Sequence, residues 1–205
     1  MNRTVSALAL VAALACIAVP VSAQSKGDVT LGLGLHGVFP EDDNGVLTGP
    51  IPLDVDESVR PTITVEYFIA DNLGIELLAS WPFEHDLNQV GVGKIGETKH
   101  LPPTLSLQYH FVNNSPLTPF IGAGVNYTYF FDENTVGLGG TSIDLDDSWG
   151  LALHAGLDFE ISESGSIRTD VRWIDIDSDV TLGGASVGSA DIDPWVFGVA
   201  YVHKF

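Results

Sequence analysis

The last eleven residues alternate between large apolar and smaller side chains, and this pattern constrains the fold more than any other feature. Five large apolar residues share one parity: Trp195, Phe197, Val199, Tyr201 and Phe205. Alternate residues of a strand point to opposite faces, so these side chains occupy a single face. An outer-membrane barrel ends on such a strand, because its last strand closes the barrel and presents this face to lipid. We therefore predict that the chain ends on a membrane strand, although His203 interrupts the apolar row.

Seven earlier segments show the same alternation and are separated by turn residues. They are Val29–Val38, Val59–Ile69, Leu73–Trp81, Leu101–Phe111, Phe120–Phe131, Ser148–Glu160 and Ser166–Ile176. The connections between segments are alternately short and long, which is typical of bacterial barrels with short periplasmic turns and long outer loops. The long connections are Glu41–Ser58, Pro82–His100, Asp132–Asp147 and Asp177–Asp191. We predict an all-β fold, an eight-stranded antiparallel transmembrane up-and-down β-barrel with both termini on the periplasmic side.

A soluble β-sandwich would also show alternation. In a sandwich the second face of each strand would lie in water and carry polar side chains. Here the side chains on that face are small, with many Gly, Ala, Ser and Thr residues. The interior of an eight-stranded barrel is only wide enough to be filled by side chains. Small side chains on the second face therefore favour the barrel.

The first 23 residues indicate export. Arg3 precedes an apolar run from Val5 to Val19, and Val21-Ser22-Ala23 offers small residues for cleavage. We predict a signal peptide at residues 1–23 and an outer-membrane barrel at residues 24–205, located in the outer membrane of a Gram-negative bacterium. The single cysteine, Cys16, would leave with the signal peptide. A disulfide framework and a thiolate metal site are then excluded.

The composition limits the classes of partner. The formal net charge is −19, so the chain repels nucleic acid, and that class of partner is excluded. Apolar residues make up 45% of the chain, which argues against disorder. The expected partners are outer-membrane lipids, lipopolysaccharide and small hydrophobic solutes.

Seven ionisable residues fall on the inward parity in the periplasmic half of the predicted barrel: Glu66, Glu76, His110, Asp158, Arg168, Asp170 and Lys204. Unpaired charges would be costly in a narrow, dry lumen, so we expect these groups to pair. One interpretation is a polar network that plugs the barrel. The other is a relay for protons or solutes, and the sequence leaves both open.

Residues of inward or rim parity nearer the outside carry little charge and predict an apolar pocket in the lumen. They are Leu78, Phe130, Ala152, Ile174, Ile176 and Val196. Such a pocket above a polar plug would pass ions poorly. Our hypothesis is that it accepts an apolar molecule from outside and releases it sideways into lipid. Pro61 and Pro103 each remove a hydrogen-bond donor from the wall and are candidate points of lateral opening.

Two short motifs do not indicate the chemistry that they resemble. Gly32–Gly37 has the spacing of a dinucleotide-binding loop, but it lies within a strand and no helix follows it. Asp175–Asp179 resembles the start of a calcium loop, but Val180 replaces the needed glycine. The acidic clusters at 41–43 and 54–57 are either solvated loops or carboxylates that share divalent ions with lipopolysaccharide phosphates. We expect no catalytic site, resident metal or cofactor.

Five ordered blocks of the sequence resemble the OmpW family of outer-membrane proteins. They are Tyr67–Phe83, Leu101–Leu105, Pro119–Phe131, Asp147–Gly150 and Asp193–Trp195. The resemblance covers most of the predicted barrel and implies eight strands around a narrow, largely apolar lumen. It also implies passage of small hydrophobic molecules and, in some members, a receptor role for colicins.

Two functions stand as hypotheses. The first is passive translocation of small hydrophobic molecules through a narrow hydrophobic channel. The alternative is a structural or surface-receptor barrel that contacts lipopolysaccharide, phage or colicin without transport. In either case we expect the barrel-assembly machinery to recognise the chain through C-terminal Phe205.

Overall fold

The computed structural model describes residues 24–41, 44–47, 51–89, 91, 93–136 and 141–205. The predicted signal peptide at residues 1–23 lies outside the described residues. None of the described residues belongs to a helix that is long and apolar enough to cross a membrane. Most of them lie in strands that follow the alternation of the sequence.

Fifteen strands occur in the described residues, and we number them in chain order. They are β1 (Val29–Phe39), β2 (Val46–Leu47), β3 (Ile51–Val55), β4 (Ser58–Ala70), β5 (Leu73–Ser80), β6 (Phe83–Gln89), β7 (Gly93–Leu101), β8 (Thr104–His110), β9 (Leu117–Thr135), β10 (Ile143–Leu145), β11 (Ser148–Glu160), β12 (Gly165–Ile174), β13 (Asp177–Leu182), β14 (Ala185–Asp191) and β15 (Trp195–Lys204). Eight of these strands form the membrane wall, and the other seven lie in the long connections.

The wall strands close into a barrel. In order around the barrel they are β1, β4, β5, β8, β9, β11, β12 and β15, and each pairs antiparallel with the next. β15 then pairs with β1, from Thr30 opposite Lys204 to Phe39 opposite Trp195. Closure gives every wall strand two neighbours. The hydrocarbon core of a membrane requires this, because it contains no water to bond the backbone groups of an open edge. The predicted eight-stranded antiparallel barrel is confirmed.

The short turns and the two described chain ends lie at one end of the barrel. Asp71-Asn72 joins β4 to β5, with φ 63° at Asn72, a left-handed conformation that asparagine tolerates. The backbone N–H of Lys26 donates to Asp71 at 3.0 Å, and that of Phe205 donates to the Val29 carbonyl at 3.0 Å. Short turns of bacterial barrels face the periplasm, so this end is periplasmic.

Side chains alternate between lipid and lumen along the wall. In β11, Leu151 and Leu153 face outward and are 61% and 53% exposed, whereas Ala152 and His154 face inward and are buried. Exposed aromatic side chains mark both ends of the outward band: Trp81, Trp149 and Trp195 near the outer end, and Tyr109, Tyr201 and Phe205 near the periplasmic end. Aromatic side chains prefer these two positions, because they have both apolar and polar contacts at a membrane surface.

The long connections are not open loops, which differs from the sequence-based expectation. They contain β2, β3, β6, β7, β10, β13 and β14, which pair with one another and with the outer end of β9. β6 and β7 form a hairpin, and β7 runs along β9 from Leu101 opposite Tyr129 to Gly96 opposite Thr135. Most outward positions of this hairpin carry charged residues: Glu84, Asp86, Lys94, Glu97 and Lys99. The hairpin therefore lacks the apolar lipid-facing row that marks the wall strands.

An arginine on the lipid-facing wall tests the membrane assignment. Leu153 lies near the middle of β11, and Leu153→Arg should lower the free energy of unfolding in lipid vesicles by about 2–4 kcal/mol. Ile161 is 50% exposed but follows β11 in a periplasmic turn, where Ile161→Arg should cost about 0–1 kcal/mol. Denaturant titration of both variants measures the difference. Equal, small losses would contradict a hydrocarbon environment at Leu153.

Candidate lumen site

The periplasmic half of the lumen is held together by two buried arginines. Arg168 on β12 donates to both oxygens of Asp158, from Nε at 2.7 Å and from Nη2 at 2.9 Å. Its Nη1 donates to Glu76 at 2.7 Å, and Nη2 lies 3.4 Å from Glu66. The guanidinium also lies 4.5 Å above the centre of the Phe120 ring, a favourable cation–π position. Arg168 therefore joins three carboxylates that come from three different wall strands.

Arg172 continues the network toward the outside. Its Nη2 donates to Glu76 Oε1 at 2.8 Å, and its Nε donates to Asp170 at 2.7 Å. Glu76 thus uses one oxygen for each arginine. All of these side chains are buried, so the bonds are charge-assisted and poorly screened by solvent.

Three histidines and a glutamine complete the polar network. His110 Nε2 lies 2.8 Å from Glu66 Oε1, and His36 Nε2 lies 3.2 Å from Asp170 Oδ1. The amide of Gln108 donates to Glu66 at 3.1 Å, and its oxygen lies 2.8 Å from His154 Nε2. Arg172, His36, Gln108 and His154 are absent from the network predicted above. These residues have the same inward parity as the predicted network, and that parity could have identified them from the sequence.

Glycines make room for these large side chains. A Cβ at Gly74 would collide with the carboxylate of Glu66, and one at Gly122 would collide with the His154 ring. The inward glycines thus compensate for arginine and histidine side chains in a narrow tube.

Lys204 lies apart from the other six predicted network residues. It sits at the periplasmic rim, where Nζ is 3.7 Å from Asp28, and its side chain is 21% exposed. Lys204 is the last residue of β15, so its inward parity directs it into the mouth of the barrel rather than the interior.

The outer half of the lumen is filled by an apolar cluster. The cluster contains Val38, Val55, Phe83, Leu87, Ile95, Phe130, Ile143, Leu145, Ala152, Ile174, Ile176, Val180, Ala190, Ile192 and Val196. The structure brings together five of the six predicted pocket residues, but as a packed core rather than an open pocket. Leu78 stays outside the cluster because its ladder neighbours, Thr64 and Thr104, carry hydroxyls. The residues that fill the space come from the long connections, which sequence reasoning treated as outer loops.

An aromatic stack leads from the β6–β7 hairpin into this cluster. The His85 and His100 rings are parallel within 5°, with centres 4.8 Å apart. The His100 ring also lies 5.6 Å from both Phe83 and Phe130. Three ring nitrogens of this stack are buried without a hydrogen-bond partner: His85 Nε2, His100 Nδ1 and His100 Nε2.

A cleft of about 570 Å³ opens beside the hairpin on the β4 side. Pairing of β4 with β5 ends at Thr62 opposite Ser80, and the Trp81 N–H then donates to the Pro61 carbonyl. Beyond this point side chains make the hydrogen bonds between β4 and β6. We call this stretch the β4–β6 seam, defined by residues 58–60 and 82–84.

Partly exposed ion pairs line the seam and its cleft. Arg60 Nε donates to the Pro82 carbonyl at 2.8 Å, and Nη2 donates to Glu84 at 2.7 Å. Lys99 lies 3.7 Å from Glu84 and 3.2 Å from Asp132. Such exposed pairs contribute about 0–1 kcal/mol each, so the seam is weakly held compared with the wall.

One acidic group lies at the outer rim. Asp175, Asp177 and Asp193 each place a carboxylate oxygen within 4.8 Å of the others. Partial burial and the neighbouring carboxylates raise the pKa of Asp177. The group is consistent with the acidic surface of the chain and is not by itself a metal site.

Removal of Arg168 tests the polar network. Arg168→Met should lower the free energy of unfolding by about 3–5 kcal/mol, because it leaves buried carboxylates without their partner. The matched change Lys204→Met, at a partly exposed pair, should cost about 0–1 kcal/mol. Denaturant titration in lipid vesicles compares them, and similar losses would contradict a cross-linking role for Arg168.

Acid should open the β6–β7 hairpin. Burial lowers the pKa of His85 and lowers that of His100 well below its usual value of 6.5, so an open hairpin binds protons more readily. The closed hairpin is therefore most stable above pH 6.5, and it loses stability as the pH falls below that value. Between pH 7 and pH 5, amide exchange in the hairpin should rise, after correction for intrinsic rates, by up to about 25-fold for each of the two histidines, because protonation of the open hairpin begins only near pH 6.5. Exchange in β11 and β12 serves as the control, and an unchanged hairpin would contradict the prediction.

Comparison with known proteins agrees with this architecture. A family model described as the OmpW family matches residues 25–205. Outer membrane protein W of Vibrio cholerae serotype O1 is 39% identical over 219 residues, with 100% of both chains covered. The crystal structure of the outer membrane protein OprG from Pseudomonas aeruginosa has a TM-score of 0.81 and 33% identity, covering 89% of this chain and 97% of that chain. The dibenzothiophene metabolism operon protein PahQ of Pseudomonas aeruginosa is 27% identical, covering 97% of this chain and 98% of PahQ.

The family match spans the whole barrel, and the similar solved structure shares its fold. Outer membrane protein W and OprG are outer-membrane proteins of Gram-negative bacteria. The barrel accordingly resides in a Gram-negative outer membrane, and the chain belongs to the OmpW family.

Proposed function

We propose that this barrel passively transfers small hydrophobic molecules from the cell exterior into the outer membrane. The observation that carries the proposal is the division of the lumen into an apolar outer half and a sealed polar inner half. An apolar molecule is favoured in the first and excluded from the second, because it would have to displace paired charges there. Its way out is therefore sideways, through the wall.

The β4–β6 seam is the proposed route through the wall. The backbone ladder is interrupted there and resumes at the bond from the Asp56 N–H to the Asp86 carbonyl, so side chains close this short stretch. Of the two prolines named as candidate weak points, Pro61 lies at the start of this interruption. Pro103 lies at the start of β8, where its carbonyl accepts a bond from the Tyr127 N–H at 3.1 Å. Pro61 is therefore the stronger candidate for lateral opening.

A relative supports the solute class. PahQ is named for a dibenzothiophene metabolism operon, and dibenzothiophene is an uncharged molecule of fused aromatic rings. A solute of that kind fits a cluster built from Phe83, Phe130 and branched aliphatic side chains. No catalytic role is proposed, because the four lumen carboxylates are engaged by arginine or histidine.

A second candidate function is a surface barrel without transport. The packed apolar cluster favours it, because an occupied lumen needs no solute. In that case the acidic outer strands would contact lipopolysaccharide, phage or colicin. For both functions we propose removal of residues 1–23 and recognition of Phe205 by the barrel-assembly machinery.

A reversible lock on the seam separates the two functions. The Glu84 N–H donates to Ser58 Oγ at 3.4 Å, so Ser58→Cys with Glu84→Cys places two thiols across the seam. We expect the oxidised variant to lose most of its uptake of labelled hydrophobic compounds into proteoliposomes. Reduction of the disulfide should restore uptake.

The single variants Ser58→Cys and Glu84→Cys are the matched controls and should not respond to oxidant. Protein-free liposomes give the background from direct partition into lipid. Uptake that is equal in the oxidised and reduced double variant would contradict transfer through the seam. Uptake no greater than the background for the wild type would favour the surface-barrel function.

A further inference from the structure

We propose that His85 and His100 bind the hydroxyl group of an otherwise apolar, uncharged solute, an inference that rests on the proposed function. The two rings would select aromatic or aliphatic alcohols over the corresponding hydrocarbons. Among small hydrophobic molecules, the preferred solutes would therefore be uncharged alcohols.

The hydrogen-bonding pattern of the two rings leads to this class. His85 Nδ1 is bonded to the Asp56 carbonyl, which can only accept, so Nδ1 carries the proton and Nε2 is an acceptor. Burial keeps His100 neutral, so one of its ring nitrogens donates and the other accepts. The pair therefore presents a buried donor and buried acceptors that the protein leaves unpartnered.

Buried polar atoms without a partner are rare in proteins and disfavour the state that contains them. Here they lie beside an apolar cluster that consists otherwise of well-packed side chains. The unpartnered nitrogens therefore make the closed outer lumen less stable than apolar packing without them would be. A solute that satisfies these nitrogens gains hydrogen bonds that no other part of the apolar cluster offers.

A hydroxyl matches the two rings better than other polar groups. It can donate to His85 Nε2 and accept from the N–H of His100 at the same time. A carbonyl or ether oxygen can only accept, which leaves the acceptor nitrogen of His85 unsatisfied. A carboxylate would be repelled by the acidic groups of the cleft, and an ammonium group would lose its hydration among apolar side chains.

The position of the pair is suited to selection. His85 borders the cleft at the β4–β6 seam, whereas His100 contacts Phe83 and Phe130 of the apolar cluster. A solute passing from the cluster to the cleft, on its way out through the seam, therefore meets the imidazoles at the boundary between the two. Its hydroxyl can remain at the rings while its apolar body packs against the two phenylalanines.

Matched probes test the inference: 1-naphthol and naphthalene differ by one hydroxyl. Binding of each to the protein in lipid nanodiscs is measured calorimetrically, with empty nanodiscs subtracted. The wild type should bind 1-naphthol about three- to tenfold more tightly, the range expected for a net hydrogen bond. The double variant His85→Phe with His100→Phe keeps two stacked rings without nitrogen. It should bind both probes equally while retaining affinity for naphthalene.

The variant His203→Phe, at a histidine near the periplasmic end, is the control and should keep the preference. A measurement on the wild type makes the test independent of variant folding: 1-naphthol, but not naphthalene, should shift the ¹⁵N resonances of His85 and His100. Equal binding of the two probes, or a preference that persists in the double variant, overturns the inference alone. Binding of neither probe above the nanodisc background overturns the inference together with the proposed function.

Discussion

The pairing of every backbone amide within hydrocarbon is the constraint on which the rest of this structure depends. A bilayer core has no water to bond an open strand edge, so the eight wall strands must close, and β15 must meet β1. Closure turns one face of every strand toward lipid and the other toward the lumen, and eight strands leave only a narrow lumen. The inward face then has to be filled, and its filling differs between the two halves of the barrel.

In the periplasmic half, the narrow lumen brings charges close enough to bond directly. Each carboxylate there would be costly alone, and Arg168 and Arg172 remove that cost by bonding several wall strands at once. In the outer half, the wall residues are apolar, and side chains of the connecting strands pack against them. The same geometric limit thus produces an ion-pair layer below and an apolar core above.

Much of this could be predicted from the sequence. The outward rows of Leu, Val and aromatic residues predict the wall strands, because lipid contact leaves a strict period of two. The inward charges predict pairing, and six of the seven meet in the structure. Lys204 instead pairs with Asp28 at the periplasmic rim, since parity alone cannot tell how far along the barrel a residue lies. The packing of Phe83, Leu87 and Ile95 into the lumen could not be predicted, because it depends on how a hairpin folds over the mouth of the barrel.

The two halves also differ in how readily they can open. Below, buried charge-assisted bonds of 2.7–2.9 Å join β5, β11 and β12, and breaking one leaves a buried charge without a partner. Above, the β4–β6 seam is joined by side chains such as Arg60 and Glu84, which are 31% and 57% exposed and can bond water when they separate. Three buried nitrogens of His85 and His100 lack hydrogen-bond partners, and this weakens the closed hairpin at any pH. Burial also disfavours charge on the two rings, so acid weakens the closed hairpin further. Motion should therefore be confined to the outer half, where an apolar solute can be accommodated while the layer below stays closed to ions.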